Sequence, residues 1–241
     1  MKKLHTLKYI SKVVLFLFCV TTQAQEKAKD SIAPKVTNYG LRVGIDLSKL
    51  ARTFYEKDYK GLELVGDFRI KKNYYLAAEL GNENKTVSEN YLNFTTKGTY
   101  LKAGFDYNAY ENWVGMNNMI YLGMRYGVSS FSQTLNSYTI YNTEHYYPTE
   151  TNQTAIKFNG LSAQWLEVVA GIKVETIKNL YIGASVRLNY LVTQKQPENF
   201  ENLYIPGFNK TYSGKFGAGF NYTISYFIPI FKKQEKPKDV K

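Results

Sequence analysis

Few residues in this 241-residue chain can do covalent chemistry. It holds two histidines, and the one outside the N-terminal segment is His145, in NTEHYYPTE. Glu144 and Glu150 could orient its imidazole, and Ser130 and Ser132 of SSFSQT precede it. A base beside a hydroxyl is what acyl transfer needs. The spacing matches no acyl-transfer motif, so no catalytic residue is assigned and the chain is not expected to be an enzyme. Glu83 and Glu89 are too sparse for a calcium site. No metal-ligand cluster, phosphate loop or cofactor motif occurs, so no cofactor or metal is expected.

The remaining chemistry is that of charge. Arg42, Glu63, Asp67, Arg69, Glu79, Lys102, Asp106, Arg125, Glu167, Lys173 and Arg187 all fall on one parity of alternating segments, with Asp46 and Glu175 beside them. Apolar residues hold the other parity. In FGAGFNYTISYFIPIF, for example, Phe216, Ala218, Phe220, Tyr222, Ile224, Tyr226, Ile228 and Ile230 alternate with Gly217, Gly219, Asn221, Thr223 and Ser225. Charges of both signs brought together on one narrow face are costly unless paired. The expected arrangement is a polar network of ion pairs and hydrogen bonds.

The elements that must position these residues are strands. The period is two nearly everywhere, and no convincing helical period appears in the body of the chain. Eight strands are predicted, at about 39–48, 61–71, 74–83, 97–108, 118–134, 161–176, 179–192 and 216–231. The apolar rows include Tyr39, Leu41, Val43 and Ile45 on the first and Ile120, Leu122, Met124 and Tyr126 on the fifth. The polar face carries twelve of the seventeen glycines.

Two architectures fit: a soluble lipocalin-type barrel with the apolar face inside, or a membrane barrel with it outside. A glycine-rich polar face suits the narrow lumen of eight strands. Tyr39, Tyr74, Tyr107, Tyr190 and Tyr222 suit a water–lipid boundary. The connections also alternate. Lys72-Asn73 and Ile177-Lys178 are short and AYENWVGMN is medium, whereas those near 49–60, 84–96, 135–160 and 193–212 are long. Short turns at one end and long loops at the other are the membrane-barrel pattern. The expected fold is all-β, an eight-stranded antiparallel up-and-down transmembrane β-barrel.

The ends of the chain agree with export. MKKLHTLKYISK, the apolar run VVLFLFCV and TTQA have the order of a cleaved signal peptide over 1–24. Cys19, the sole cysteine, leaves with it. Residues 25–38 then form a periplasmic N-terminal segment, 39–231 the outer-membrane barrel and 232–241 a basic periplasmic tail. The formal charge of +11 falls to +7 once the four lysines of the signal leave. The basic residues are scattered, with no basic helix or zinc pattern, so no nucleic acid is expected. Loop lysines suit the phosphates of lipopolysaccharide, and Tyr138, Tyr141, Tyr146, Tyr147, Phe158, Phe200, Tyr204 and Phe208 make the loops aromatic.

In overall plan the chain resembles the small OmpA-like eight-stranded barrels. GLRVGIDLSK, LAAELGNENKT, NLYIPGF and GFNYTISYFIPI resemble an uncharacterised family of exported outer-membrane barrels from Bacteroidota, across nearly the whole mature chain. That resemblance implies fold and compartment, and no activity. Tyr222, Ile224, Tyr226, Ile228 and Ile230 resemble the signal read by the barrel assembly machinery, although the chain runs ten residues past Phe231. The expectation is an outer-membrane barrel of structural or surface-interaction role with a plugged lumen. The alternatives are a narrow pore, a lipid-modifying enzyme of the outer membrane and a soluble carrier of an apolar ligand.

Overall fold

The computed structural model describes residues 35–110, 112, 116–140, 151–198, 200–210 and 215–235. Its elements are β1 (Lys35–Asp46), α1 (Leu47–Tyr55), β2 (Tyr59–Lys71), β3 (Tyr74–Glu89), β4 (Leu92–Asn108), β5 (Met119–Thr139), β6 (Thr151–Asn152), β7 (Ile156–Ile177), β8 (Leu180–Lys195) and β9 (Phe216–Glu235). β6 is a two-residue piece against the end of β5. The eight long strands each pair antiparallel with their neighbours, β9 returns to β1, and β4 pairs with β5, so the ring closes. Closure leaves no sheet edge where the pairing is continuous.

The register fixes the geometry. A row perpendicular to the strands runs from Ile228 through Leu41, Phe68, Leu76, Phe105, Met124, Val168 and Leu188. It returns to β9 at Ala218, ten residues from its start. With ordinary strand spacings, that stagger over eight strands gives a tilt of about 40° and a backbone radius on the order of 8 Å. Such a lumen is just filled by side chains.

Alternation then sorts the residues. Outward are Leu122, Val186 and Leu188, each more than half exposed. Inward and buried are Arg42, Glu63, Asp67, Arg69, Glu79, Lys102, Asp106, Arg125, Glu167 and Arg187, with Lys173 nearly so. A carrier barrel keeps its apolar face inside, and this barrel has the opposite arrangement.

Several expectations are corrected. β1 and β9 pair from Lys35 to Glu235, so strand pairing extends beyond 39–231. Residues 84–96 are no long loop. β3 and β4 continue as a polar hairpin, pairing Thr86 with Thr95 and Glu89 with Leu92 around Asn90-Tyr91. Tyr39 leaves the outward row. A register shift between Tyr39 and Gly40 buries its ring, which stacks on Phe231 at 5.2 Å and lies 5.2 Å from the Arg69 guanidinium carbon. The segment 49–60 contains the helix α1. Asp46 caps it, accepting from the Ser48 N–H at 2.8 Å, which satisfies one of the donors a helix start leaves free.

The tall strands and the helix stand at one end, called upper here. The strand ends Lys35 and Glu235 and the turns at 72–73 and 178–179 lie at the other, lower end.

Candidate functional site

The lumen is an ion-pair network built from every strand of the ring except β9. At its centre Lys102 Nζ lies 3.3 Å from Glu79, 3.5 Å from Glu167 and 3.7 Å from Glu63. The Arg187 guanidinium bridges two of the same acids. Its Nη1 donates to Glu79 at 2.6 Å and to Glu167 at 2.5 Å, and its Nη2 donates to Glu79 at 3.0 Å. Arg125 pairs with Asp106 at 2.7 Å. Below them Asp67 accepts from Lys173 at 2.6 Å and faces Arg42 at 3.6 Å. Arg69 stands apart at the lower end. It donates to the Lys72 carbonyl and to Asn117, and its charge lies against the rings of Tyr39 and Tyr75.

Ten of the eleven residues expected to form the network are thus brought into one set of ion pairs, and Arg69 is not. Two members were missed. Lys49, from α1, dips into the lumen and pairs with Glu83. Glu83 lies two inward positions above Glu79, at the upper end of the strand read over 74–83. With these, the buried bases Arg42, Lys49, Arg69, Lys102, Arg125 and Arg187, together with the nearly buried Lys173, equal in number the buried acids Asp46, Glu63, Asp67, Glu79, Glu83, Asp106 and Glu167. Glu175 is only half-buried; it accepts from the Tyr181 hydroxyl. Equality of sign matters because an unpaired buried charge is strongly destabilising.

Aromatic residues close the upper lumen. The ring of Trp165 covers Gly127, where a Cβ would come within 2.2 Å of it, and Tyr100 covers Gly81 in the same way. Glycine is used on this face because rings lie flat against it. Trp165 donates to Glu167 at 3.2 Å and Tyr100 to Glu63 at 2.5 Å, so each ring also holds a carboxylate of the network.

Loop residues 200–209 fold down into the barrel. Ile205 and Phe208 are fully buried with Tyr100, Phe131 and Trp165. Gly207 has φ +81°, a left-handed turn conformation in which a side chain would also strike Tyr100. Tyr204 and the Gly207 N–H both donate to Glu83. Burial, and then the Glu83 charge, push the Tyr204 phenol up, so it remains a donor. The loop aromatics Tyr204 and Phe208 are therefore lumen-filling. Phe158 and Phe200 stack on each other at 5.7 Å.

Two cavities flank the network. One beside Arg42, Asp67 and Lys173 measures about 20 Å³, room for about one water. The other, about 460 Å³, lies at the upper end between α1, the β3–β4 hairpin, the 200–209 loop and β9. Among the described residues no group of His, Cys, Asp and Glu could hold a metal ion. His145, Glu144 and Glu150 lie outside the described residues, as do Tyr141, Tyr146, Tyr147, the 1–24 segment with Cys19, and residues 236–241. Asn221, which a glycosylation triplet would make an acceptor, is buried and donates to Asp46 and Glu63.

Fold and lumen together define an up-and-down barrel of eight strands, apolar outside and charge-filled within. The chain belongs to the family described as a domain of unknown function (DUF6048), whose model matches residues 6–233. Among solved structures it is similar to the crystal structure of Ail, the attachment invasion locus protein of Yersinia pestis. Identity is 10% and the TM-score 0.38, over 79% of this chain and 97% of that one. No curated protein matches the chain.

Proposed function

We propose that the chain is a transmembrane β-barrel of the outer membrane, exported by a cleaved signal peptide, with a plugged lumen and a structural or surface-interaction role. The outward apolar band carries this reading. On β8 the row runs from Leu180 to the aromatic margin at Tyr190, with Val192 continuing above it, so the span below the margin is ten residues or roughly 25 Å along the barrel axis at the tilt derived above. That is the height of the lipid-facing band of outer-membrane barrels. Aromatic pairs stand at its margins, Tyr74 with Tyr107 below and Tyr190 with Phe216 above. Water-facing strands would not keep such a band.

The plug is supported by the balanced ion pairs and by the 20 Å³ that remain beside Arg42, Asp67 and Lys173 in the lower lumen. The chain fits the Bacteroidota outer-membrane barrels it resembles and would be inserted by the barrel assembly machinery. Its upper loops then meet the lipopolysaccharide layer, and the lysine-rich tail lies in the periplasm.

Purified protein refolded into lipid vesicles tests this. The unboiled folded form should migrate faster on gels than the boiled form, and planar bilayers containing it should show no steady conductance. Recovery from cells in the soluble periplasm would contradict the compartment, and stepwise single-channel currents would contradict the plug.

A further inference from the structure

The barrel wall has a notch. β1 ends at Asp46, opposite Thr223 of β9. β9 continues upward through residues 216–222, and β2 rises through residues 59–63, above the Leu64 that faces Ile45. Among the described residues no strand closes the ring between these two stretches, and α1 stands in the gap.

The helix is amphipathic in the inverted sense that a lipid-facing position requires. Leu47 and Phe54, one helical stripe apart, are 38% and 87% exposed, while Lys49 turns inward and is buried. α1 is fastened on the β2 side, where Thr53 Oγ1 accepts from the Gly61 N–H at 3.0 Å and the Arg52 guanidinium lies 3.8 Å over the Tyr59 ring. On the β9 side the contact at the base, Asn221 with Asp46, is followed by no hydrogen bond between α1 and β9 among the described residues. The backbone edge of β9 along this seam has no strand partner there, and such an edge is costly against hydrocarbon.

Behind the seam lies the 460 Å³ cavity, a size ordinary for ligand sites. Ala218 and Phe220 line it and also belong to the outward row of β9, so its surface runs out to the lipid-facing wall. Its cations divide into two groups. Lys49, Lys102 and Arg187 at the floor are held by the acids of the network. Nearer the mouth, Arg52 and Lys85 share the single carboxylate of Glu56. Lys210 has no ion pair among the described residues, and Glu89 stands on the same lining.

We propose that this cavity is a lateral binding site for a phosphate-bearing lipid of the surrounding leaflet. The headgroup enters between α1 and β9 and is held by Arg52, Lys85 and Lys210. The acyl chain leaves through the seam over Ala218 and Phe220 and covers the open edge of β9. The site rests on the reading of the chain as an outer-membrane barrel and adds a ligand class to it.

The test uses the full mature chain refolded in neutral detergent micelles, with fluorescent lysophosphatidic acid as probe. Saturable one-to-one binding is expected, with monoacylglycerol of the same chain length about tenfold weaker, the scale of one charge-assisted hydrogen bond. Arg52→Gln and Lys85→Gln should each weaken binding by about tenfold, and Leu122→Ala on the far wall should leave it unchanged. A photo-crosslinking side chain at position 220 should capture the lipid, and one at 188 should not exceed background. Non-saturable binding, equal affinity for both lipids, or displacement by inorganic phosphate as effectively as by the lipid would overturn the site. If Arg52→Gln and Lys85→Gln fail to fold, Lys210→Gln decides alone, since unchanged affinity there contradicts the proposal. Failure of the unmodified chain to give the fast-migrating folded band in lipid vesicles is a separate result. It removes the outer-membrane reading and the lateral site with it.

Discussion

Arg187→Leu is expected to destabilise the folded barrel by about 3–5 kcal/mol, the cost of stranding buried charges. Arg187 is 8% exposed and supplies three hydrogen bonds, two to Glu79 and one to Glu167. Without it the centre of the lumen keeps Glu63, Glu79, Asp106 and Glu167 against Lys102 and Arg125, with Lys49 reaching Glu63 from above. The loss is one of balance as well as contact. The double change Arg187→Leu with Glu79→Leu should therefore recover much of the stability, because a matched pair can be replaced by apolar groups at little net cost. Lys71→Leu, at an exposed position, should stay within about 0.5 kcal/mol. Urea titration of refolded protein in vesicles, read by the gel shift, gives all three values. A single change as harmless as Lys71→Leu would mean that the network carries no stability.

The second large effect belongs to the outer face. Met124 is 45% exposed and lies in one row between Phe105 of β4 and Val168 of β7. A charged side chain near the middle of the hydrocarbon costs about 2–4 kcal/mol in a barrel. Met124→Arg should lose that much in vesicles. Ile224→Arg should lose less, because Ile224 faces outward between Ile45 and Ile182 but lies nearer the lower margin. Its neighbour Thr223 points inward beside Gly183, so Thr223→Gln should cost less than Ile224→Arg. The reverse order would place the apolar face inside and restore the carrier-barrel arrangement.

Much of this was legible in the sequence because alternation is a strong signal where one face is apolar. Parity alone places Glu79 and Arg187 inside and Leu122 outside. The signal fails where that contrast ends. In Lys85–Glu89 and Leu92–Lys97 the outward parity turns polar, with Thr86, Ser88, Asn93, Thr95 and Lys97, so the hairpin reads as a loop although its strands are fully paired. Glu83, at the end of the strand as read, is weighed there only as a metal ligand. α1 is nine residues long, and its apolar stripe offers few positions to a periodicity test. The cap at Asp46 before LSKLARTFY was its one local sign. The Tyr39 bulge leaves no trace in the alternation, since the residues on either side keep their types. NLYIPGF has loop chemistry, with Pro206 and Gly207, and only the tertiary fold shows that Ile205 and Phe208 complete the core.

The central claim is that the apolar rows face hydrocarbon, and labelling depth tests it most directly. Residues 25–241 contain no cysteine, so in a chain of those residues single cysteines can be placed at 121, 122, 123, 124, 186 and 188 without a background. Spin labels on these variants, refolded in vesicles, report access to oxygen, which concentrates in lipid, and to a water-soluble relaxant. The account predicts high oxygen access at 122, 124, 186 and 188, with low access to the aqueous reagent, and the opposite or no access to either at 121 and 123. Free access of the aqueous reagent to 122, 124, 186 and 188, in protein that stays soluble without lipid, would contradict it.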